Sequence, residues 1–314
     1  MVKKSVYPYK FKKGGLKKAR GSRLAFVICN TILMVFLSII FIAPYINILA
    51  KSFNAAKDTM LGGLTFWPRK WSWDNYSVVL GDATTWSGLR VSVLRVVISS
   101  AFALIINYMA AYALLKKGLR FKKIIILIFT IPMFIGGGLI SEYIWFPKFG
   151  IYNTFWVYVL PSAFSFYNMV IIRTYLAGIP EALLESARLD GAGELTVLFK
   201  ITLPLSMPIV ATILLWSAVA NWNDWTTTLY FVENQDLFTL QYNMQMAIKQ
   251  TETVQQMIAN ALESGRPLGD IDTDITAESI QAAQLIITTI PIIMLYPFLQ
   301  KYFMSGVMIG SVKE

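Results

Sequence analysis

The sequence predicts an all-α membrane protein with six transmembrane helices and both termini on the cytoplasmic side. Three observations carry this. Of its 314 residues 56% are hydrophobic and 15% charged, with a mean hydropathy of +0.55, whereas soluble domains carry about 25% charged residues. Six runs stay apolar over the roughly 20 residues a helix needs to cross a hydrocarbon core of about 30 Å. Basic residues gather in alternate connections, the pattern left when lysine and arginine are retained inside.

The runs are Leu24–Ala50, Val91–Leu115, Ile124–Trp145, Tyr152–Leu176, Leu205–Asn221 and Ile280–Tyr302, interrupted by no more than a proline, a few glycines or uncharged polar residues. Residues 1–23 hold nine basic residues and no acid, and Lys116–Lys123 holds five and no acid, so both belong inside. Trp222–Ser279 holds nine acids against Lys249 and Arg266 and belongs outside. The chain therefore divides into a basic cytoplasmic N-terminus (1–23), a membrane domain (24–304) and a short cytoplasmic tail (305–314). A basic terminus also suits a nucleic-acid arm or a secretory signal. The apolar run that follows is too long for a signal core and lacks a small-residue cleavage site, which favours a retained first span. The net charge of +10 then reflects orientation and attraction to anionic lipid, with no nucleic acid as partner.

Composition excludes much chemistry. There is no histidine and a single cysteine, Cys29, within an apolar run, so no imidazole base, Ser-His-Asp arrangement or Cys/His metal site can be built. No catalytic or metal-binding residues are assigned. A phosphate-binding P-loop needs Gly-Lys-Ser/Thr, and the chain has no Gly-Lys dipeptide. Gly136-Gly137-Gly138 falls inside a span and reads as a bend or close helix contact. Arg95, Glu142, Arg173 and Asp224 fall toward span ends, where side chains snorkel to the interface. Clear midplanes disfavour an ion-coupled carrier or channel, and the lack of paired acids disfavours an intramembrane enzyme.

The most informative segment is 178–204, on the side the charges make cytoplasmic. Gly178 ends the fourth span, Pro180 suits a first helical turn, Glu181 sits at the positive helix end, and Asp190-Gly191 supplies a turn. A short amphipathic helix, a tight reversal and a second short helix follow, ending at Pro204. Small residues Ser186 and Ala187 let the first helix dock in a partner's groove; the alternative is a helix resting on lipid, although its polar face lacks the usual lysine and arginine.

Glu185-Ser186-Ala187, then three residues, Gly191, nine residues and Ile201-Thr202-Leu203-Pro204 resemble the EAA loop in membrane subunits of binding-protein-dependent ABC importers. Only Ser186 departs from the pattern, replacing alanine with another small residue. Pro44-Tyr45 to Lys51-Ser52-Phe53, Trp73-Asp74-Asn75-Tyr76 and Gly306-Val307 to Lys313 are similar to the smaller permease of maltose-type carbohydrate uptake systems. The 221–278 segment and Leu237-Phe238-Thr239-Leu240-Gln241 resemble the branch importing oligosaccharides and polysaccharide fragments in Gram-positive bacteria.

The resemblance implies a type I importer permease fold in the bacterial cell membrane. It implies a second permease, two ATPase subunits that bind ATP and Mg, and an extracellular sugar-binding lipoprotein; this chain itself holds no cofactor and is not an enzyme. Glu185, Ser186, Ala187, Asp190, Gly191, Ile201, Leu203 and Pro204 are then the ATPase-coupling residues, with Glu185 as charge contact. Ile309, Gly310, Ser311, Val312 and Lys313 resemble the tail that enters the ATPase dimer interface. Candidates for a sugar pathway are Tyr167, Asn168, Trp216, Asn221, Trp222 and Asn223, since pyranose rings stack on aromatic faces and amides bond hydroxyls. Trp222 and Trp225 also suit interface anchors. The 222–279 segment is expected to meet the binding protein, with a helix over Thr253–Ser264, a link over Gly269–Asp274, and Asp274 or Thr276 capping the helix into span six.

Overall fold

The computed structural model describes residues 21–60, 62–63, 66–116, 118–263 and 277–310. Expectations for residues 1–20, for the link and cap at 264–276 and for Ser311, Val312, Lys313 and Glu314 lie outside the described residues. The described chain is helical, with one isolated bridge between Asn54 and Trp71 and no strand.

Helix α1 (Gly21–Ser52) meets the first predicted span; at 32 residues it is about 48 Å long. Short helices α2 (Ala56–Met60) and α3 (Asp74–Gly81) follow at its outer end. The second span is α4 (Ala83–Ala113), which starts well before Val91 because Asp82 caps it, its carboxylate accepting from the Thr84 amide at 2.8 Å. The third run is not one straight helix. α5 (Lys122–Phe134) and α6 (Gly138–Lys148) meet at 115°, with Gly138 at φ +70. The glycine run is thus a bend and not a close contact: a Cβ added at Gly136 or Gly138 would meet nothing within 4 Å.

The fourth run is helical only over α7 (Phe166–Leu176), preceded by irregular chain with a 3-10 turn at Phe155–Tyr158. After α8 (Glu181–Leu189), α9 (Glu194–Thr196), a π turn (Val197–Thr202) and α10 (Leu203–Leu205), the chain bends by 84° into α11 (Met207–Asn223), the fifth span. α12 (Thr226–Phe231) and α13 (Leu240–Glu263) fill the outer segment. α13 begins far ahead of Thr253, because Leu240 and Met244, one helical turn apart, are both buried. α14 (Ala277–Gly310) is the sixth span and stays helical past Tyr302.

Among the described residues α1 and α4 are each long and apolar enough to cross a membrane alone, and the two bent pairs reach that length together. Helix α4 is the hub. It packs antiparallel to α11 and beside α7, while α14 packs on α1, α11 and α13. Near the inner end the core joins Tyr108, Ala111 and Tyr112 of α4 to Met169, Ile172, Val197, Ile209 and Ile213.

Candidate functional site

The structure places 178–204 and the C-terminal end of α4 together at one end of the bundle, the end the loop charges make cytoplasmic. Pro180 is the N-cap of α8, with φ −57 and ψ 124, one position earlier than the first-turn role expected of it. The helix ends in a Schellman motif: the Ala192 amide donates to the Ala187 carbonyl and the Gly191 amide to the Arg188 carbonyl, both at 3.0 Å. Gly191 sits at φ +85 with open space around it. Glycine is required there by backbone conformation and not by crowding.

The faces of α8 differ from the expected arrangement in one respect. Leu184 and Ala187 turn inward and pack on the α4/α7 core, so Ala187 is not on the docking face with Ser186. The two are adjacent in sequence and so about 100° apart around the helix. Glu185 and Ser186 are exposed, and Leu189 is 88% exposed, with Leu183, Leu195 and Phe199 exposed as well. Ile201 and Leu203 are half-buried, and Pro204 is exposed in α10. The segment therefore carries an apolar surface that this chain does not cover.

Glu194, which the motif does not include, ties this segment to α4. Its carboxylate accepts from the Tyr112 hydroxyl at 2.7 Å and pairs with Lys116 at 3.2 Å and Arg188 at 3.4 Å. The Tyr112 hydrogen bond, then Lys116 and Arg188, hold the Glu194 carboxyl below its ordinary value of 4.5. One turn of α4 away, the Tyr108 hydroxyl meets Ser206 Oγ at 2.6 Å, at the bend into α11. A cleft of about 480 Å³ lies under α8, walled by Tyr112, Lys116, Ile179, Leu184, Arg188 and Glu194.

The sugar-pathway residues divide. Asn168, Trp216 and Asn221 line one cavity of about 450 Å³ between α4, the 157–168 segment and α11. Tyr167 stacks on Trp216, with ring centroids 6.3 Å apart and planes at 23°, and does not line the cavity. Trp222 is 6% exposed and its indole N–H donates to the Thr288 carbonyl at 3.0 Å. It packs α11 on α14, which corrects both the pathway and the interface-anchor readings, since a buried indole meets neither sugar nor headgroup. Asn223 is exposed and lies off the cavity wall.

Two wall residues escaped the sequence. Arg95 is 2% exposed in the body of α4 and does not snorkel. It pairs with the Asp224 carboxylate, donates to the Asp224 carbonyl at 2.8 Å and lies 4.5 Å over the Tyr158 ring. A buried arginine in an apolar helix signals a partner, but 129 residues separate the two and no spacing rule joins them. Of the tail candidates, Ile309 and Gly310 are helical, within α14.

Broken helices and bends surround α4, and the 178–204 segment is braced against its inner end. Over 91% of this chain and 99% of the other, the bundle superposes with a TM-score of 0.79 and 24% identity on a chain from the crystal structure of a bacterial ABC transporter involved in the import of the acidic polysaccharide alginate. The family model described as binding-protein-dependent transport system inner membrane component matches residues 119–308, and the chain belongs to that family. Protein LplC of Bacillus subtilis (strain 168) is 30% identical over 92% of this chain and 95% of its own. The polygalacturonan/rhamnogalacturonan transport system permease protein YtcP of the same organism is 29% identical over 88% and 94%. The chain is thus a membrane permease component of an ABC importer, a transport subunit and not a catalyst.

Proposed function

We propose that this chain and a second permease form the membrane pathway for an oligosaccharide or polysaccharide fragment delivered by an extracellular sugar-binding lipoprotein. Two cytoplasmic ATPases, which bind ATP and Mg, drive it through the 178–204 segment and the tail residues 309–313. Relatives in this family whose names specify carbohydrate transport support the substrate class, among them YtcP and an arabinooligosaccharide permease of Halalkalibacterium halodurans that is 27% identical.

The observation that carries the coupling role is the exposure of Leu183 and Leu189 on α8, a helix whose C-terminal end is fixed. Its C-terminus is held by the Schellman motif, and Glu194 braces the following segment on α4. A surface so exposed yet so firmly positioned suits a rigid partner groove better than lipid, which asks for no fixed geometry. Movement of α8 passes through Glu194 and Tyr112 into α4, a rod reaching the cavity that holds Asn168, Trp216 and Asn221. On the outer side, α13 is placed to meet the binding protein.

Co-purification tests the assembly: a second permease and an ATPase should accompany the chain out of detergent, and a chain that transports alone would reverse the reading. Replacing residues 252–272 with a short Gly/Ser linker is expected to abolish stimulation of ATP hydrolysis by the binding protein while sparing the basal rate. Stimulation that survives would put docking elsewhere.

A further inference from the structure

We propose that the cavity between α4, the 157–168 segment and α11 is a saccharide subsite that takes uncharged sugars and turns uronates away. This rests on the reading of the chain as one wall of a sugar pathway. Its volume of about 450 Å³ falls within the range of roughly 300–1,000 Å³ usual for small-molecule sites.

Arg95 and Asp224 are the charged residues on the wall, and they pair with each other; the Arg95 Nε has no hydrogen-bond partner but is itself buried. The guanidinium is buried against the Asp224 carboxylate, the Asp224 carbonyl and the Tyr158 ring. The carboxylate also accepts from the amides of Thr226 and Thr227 at 3.0 and 3.2 Å and from both threonine hydroxyls. The pair therefore presents no net charge to a ligand.

The groups left for a ligand are neutral. Among the described residues the Asn168 side-chain amide and the Ser217 hydroxyl have no hydrogen-bond partner, and Asn221, whose side-chain amide donates to the Ser217 carbonyl at 2.8 Å, keeps its own side-chain oxygen. Trp216, stacked on Tyr167, is 43% exposed. Amides and a hydroxyl beside an aromatic face match the hydroxyls and apolar face of a pyranose. A sugar carboxylate entering the same space sheds water and meets cations already paired, which disfavours it.

The test uses the assembled complex in nanodiscs without binding protein. Tryptophan fluorescence is titrated with galacto- and gluco-configured disaccharides and with the uronates made from them by oxidation at C6. The chain has nine tryptophans, so subtracting the Trp216→Phe complex isolates the cavity. The expected result is saturable, Trp216-dependent quenching by neutral sugars and about tenfold weaker binding of the uronates. Asp224→Asn, which leaves the Arg95 charge uncompensated, is expected to close most of that gap. Should Asp224→Asn misfold, Asn168→Lys adds a cation without touching the pair and is expected to do the same. Uronates that bind wild type as well as neutral sugars overturn the charge selection. Absence of Trp216-dependent quenching by every sugar overturns the subsite, and sugar-stimulated ATP hydrolysis by the same complex reports separately on the pathway reading.

Discussion

At the outer end, Asn75 donates to the carbonyls of Ser52 at 3.0 Å and Asn54 at 2.9 Å, and the Tyr76 hydroxyl meets Ser52 Oγ at 2.9 Å. Asn54 in turn bonds Asp58, Thr59 and the Lys70 amide. At the inner end, Glu185 and Leu189 face outward, Leu184 and Ala187 pack on the core, and Glu194 is the acid that turns its side chain back onto α4. Two stretches that stand out equally in the sequence therefore act differently. Trp73-Asp74-Asn75-Tyr76 satisfies its own fold, closing α3 onto the end of α1. The 185–191 stretch builds a rigid edge whose outer face this chain leaves uncovered.

The largest expected effect separates backbone from surface. Gly191→Pro fixes φ near −65° and removes the amide that bonds the Arg188 carbonyl, where the native φ is +85. Uptake in cells is expected to fall to background while the chain still inserts, because the turn lies outside the bilayer. Near-normal uptake at matched expression would show that α8 needs no fixed end.

The next pair sets the two ends against each other. Leu189→Asp puts a charge on the uncovered face and is expected to weaken ATPase co-purification by about tenfold or more, with the melting temperature of the detergent-solubilised chain unchanged. Asn75→Ala is expected to do the reverse. It leaves the Ser52 and Asn54 carbonyls without their donor, at a cost of about 1–3 kcal/mol for each buried group, and lowers thermal stability without changing ATPase capture. If both variants lose stability alike, the inner face is structural and the contrast fails.

Much of this contrast was legible in the sequence. The Asp190-Gly191 turn follows from turn chemistry and holds, and Glu185, expected as an outward charge contact, is exposed. The glycine run 136–138 offered the bend in the third run and the bend is there, but the interior of the fourth run was not legible, because hydropathy records that 152–176 is apolar and says nothing of a 3-10 turn at Phe155–Tyr158. Arg95 was misplaced for a related reason. Its distance from the span ends suggests snorkelling only while its partner is unknown, and Asp224 becomes a neighbour through the antiparallel packing of α4 on α11. Glu194 likewise gains its role from Tyr112 and Lys116, on a helix far away in the chain.

Glu194→Gln sharpens the comparison by loosening the charged contact that ties this segment to α4. The amide can still accept from Tyr112 but loses both ion pairs, and the exposed, screened setting makes these individually weak. Sugar uptake per ATP hydrolysed is expected to fall about two- to fivefold with assembly intact, and Tyr112→Phe to act in the same direction. The pH dependence follows from the lowered carboxyl. Its folded pKa lies below its unfolded one, so the clasp contributes above the unfolded value and is lost as pH falls through the folded value. Coupling that depends on this group is therefore flat from about pH 5.5 to about pH 8. A Glu194-dependent midpoint inside that window would mean that the carboxylate is not held as the geometry describes.

The smallest expected effect concerns Ser186, where the motif's usual alanine is missing. Its hydroxyl donates back to the Leu183 carbonyl at 3.1 Å, within α8 itself. Such back-bonding competes slightly with the helix, and alanine has the higher helix propensity by about 0.5 kcal/mol. Ser186→Ala is therefore expected to leave uptake within about twofold of wild type and to raise the helix content of α8 slightly. That outcome fits a docking surface read by shape and by Leu183 and Leu189. A loss several times larger would assign the serine hydroxyl a hydrogen bond to the partner, and the departure from alanine would then mark a surface matched to one particular ATPase.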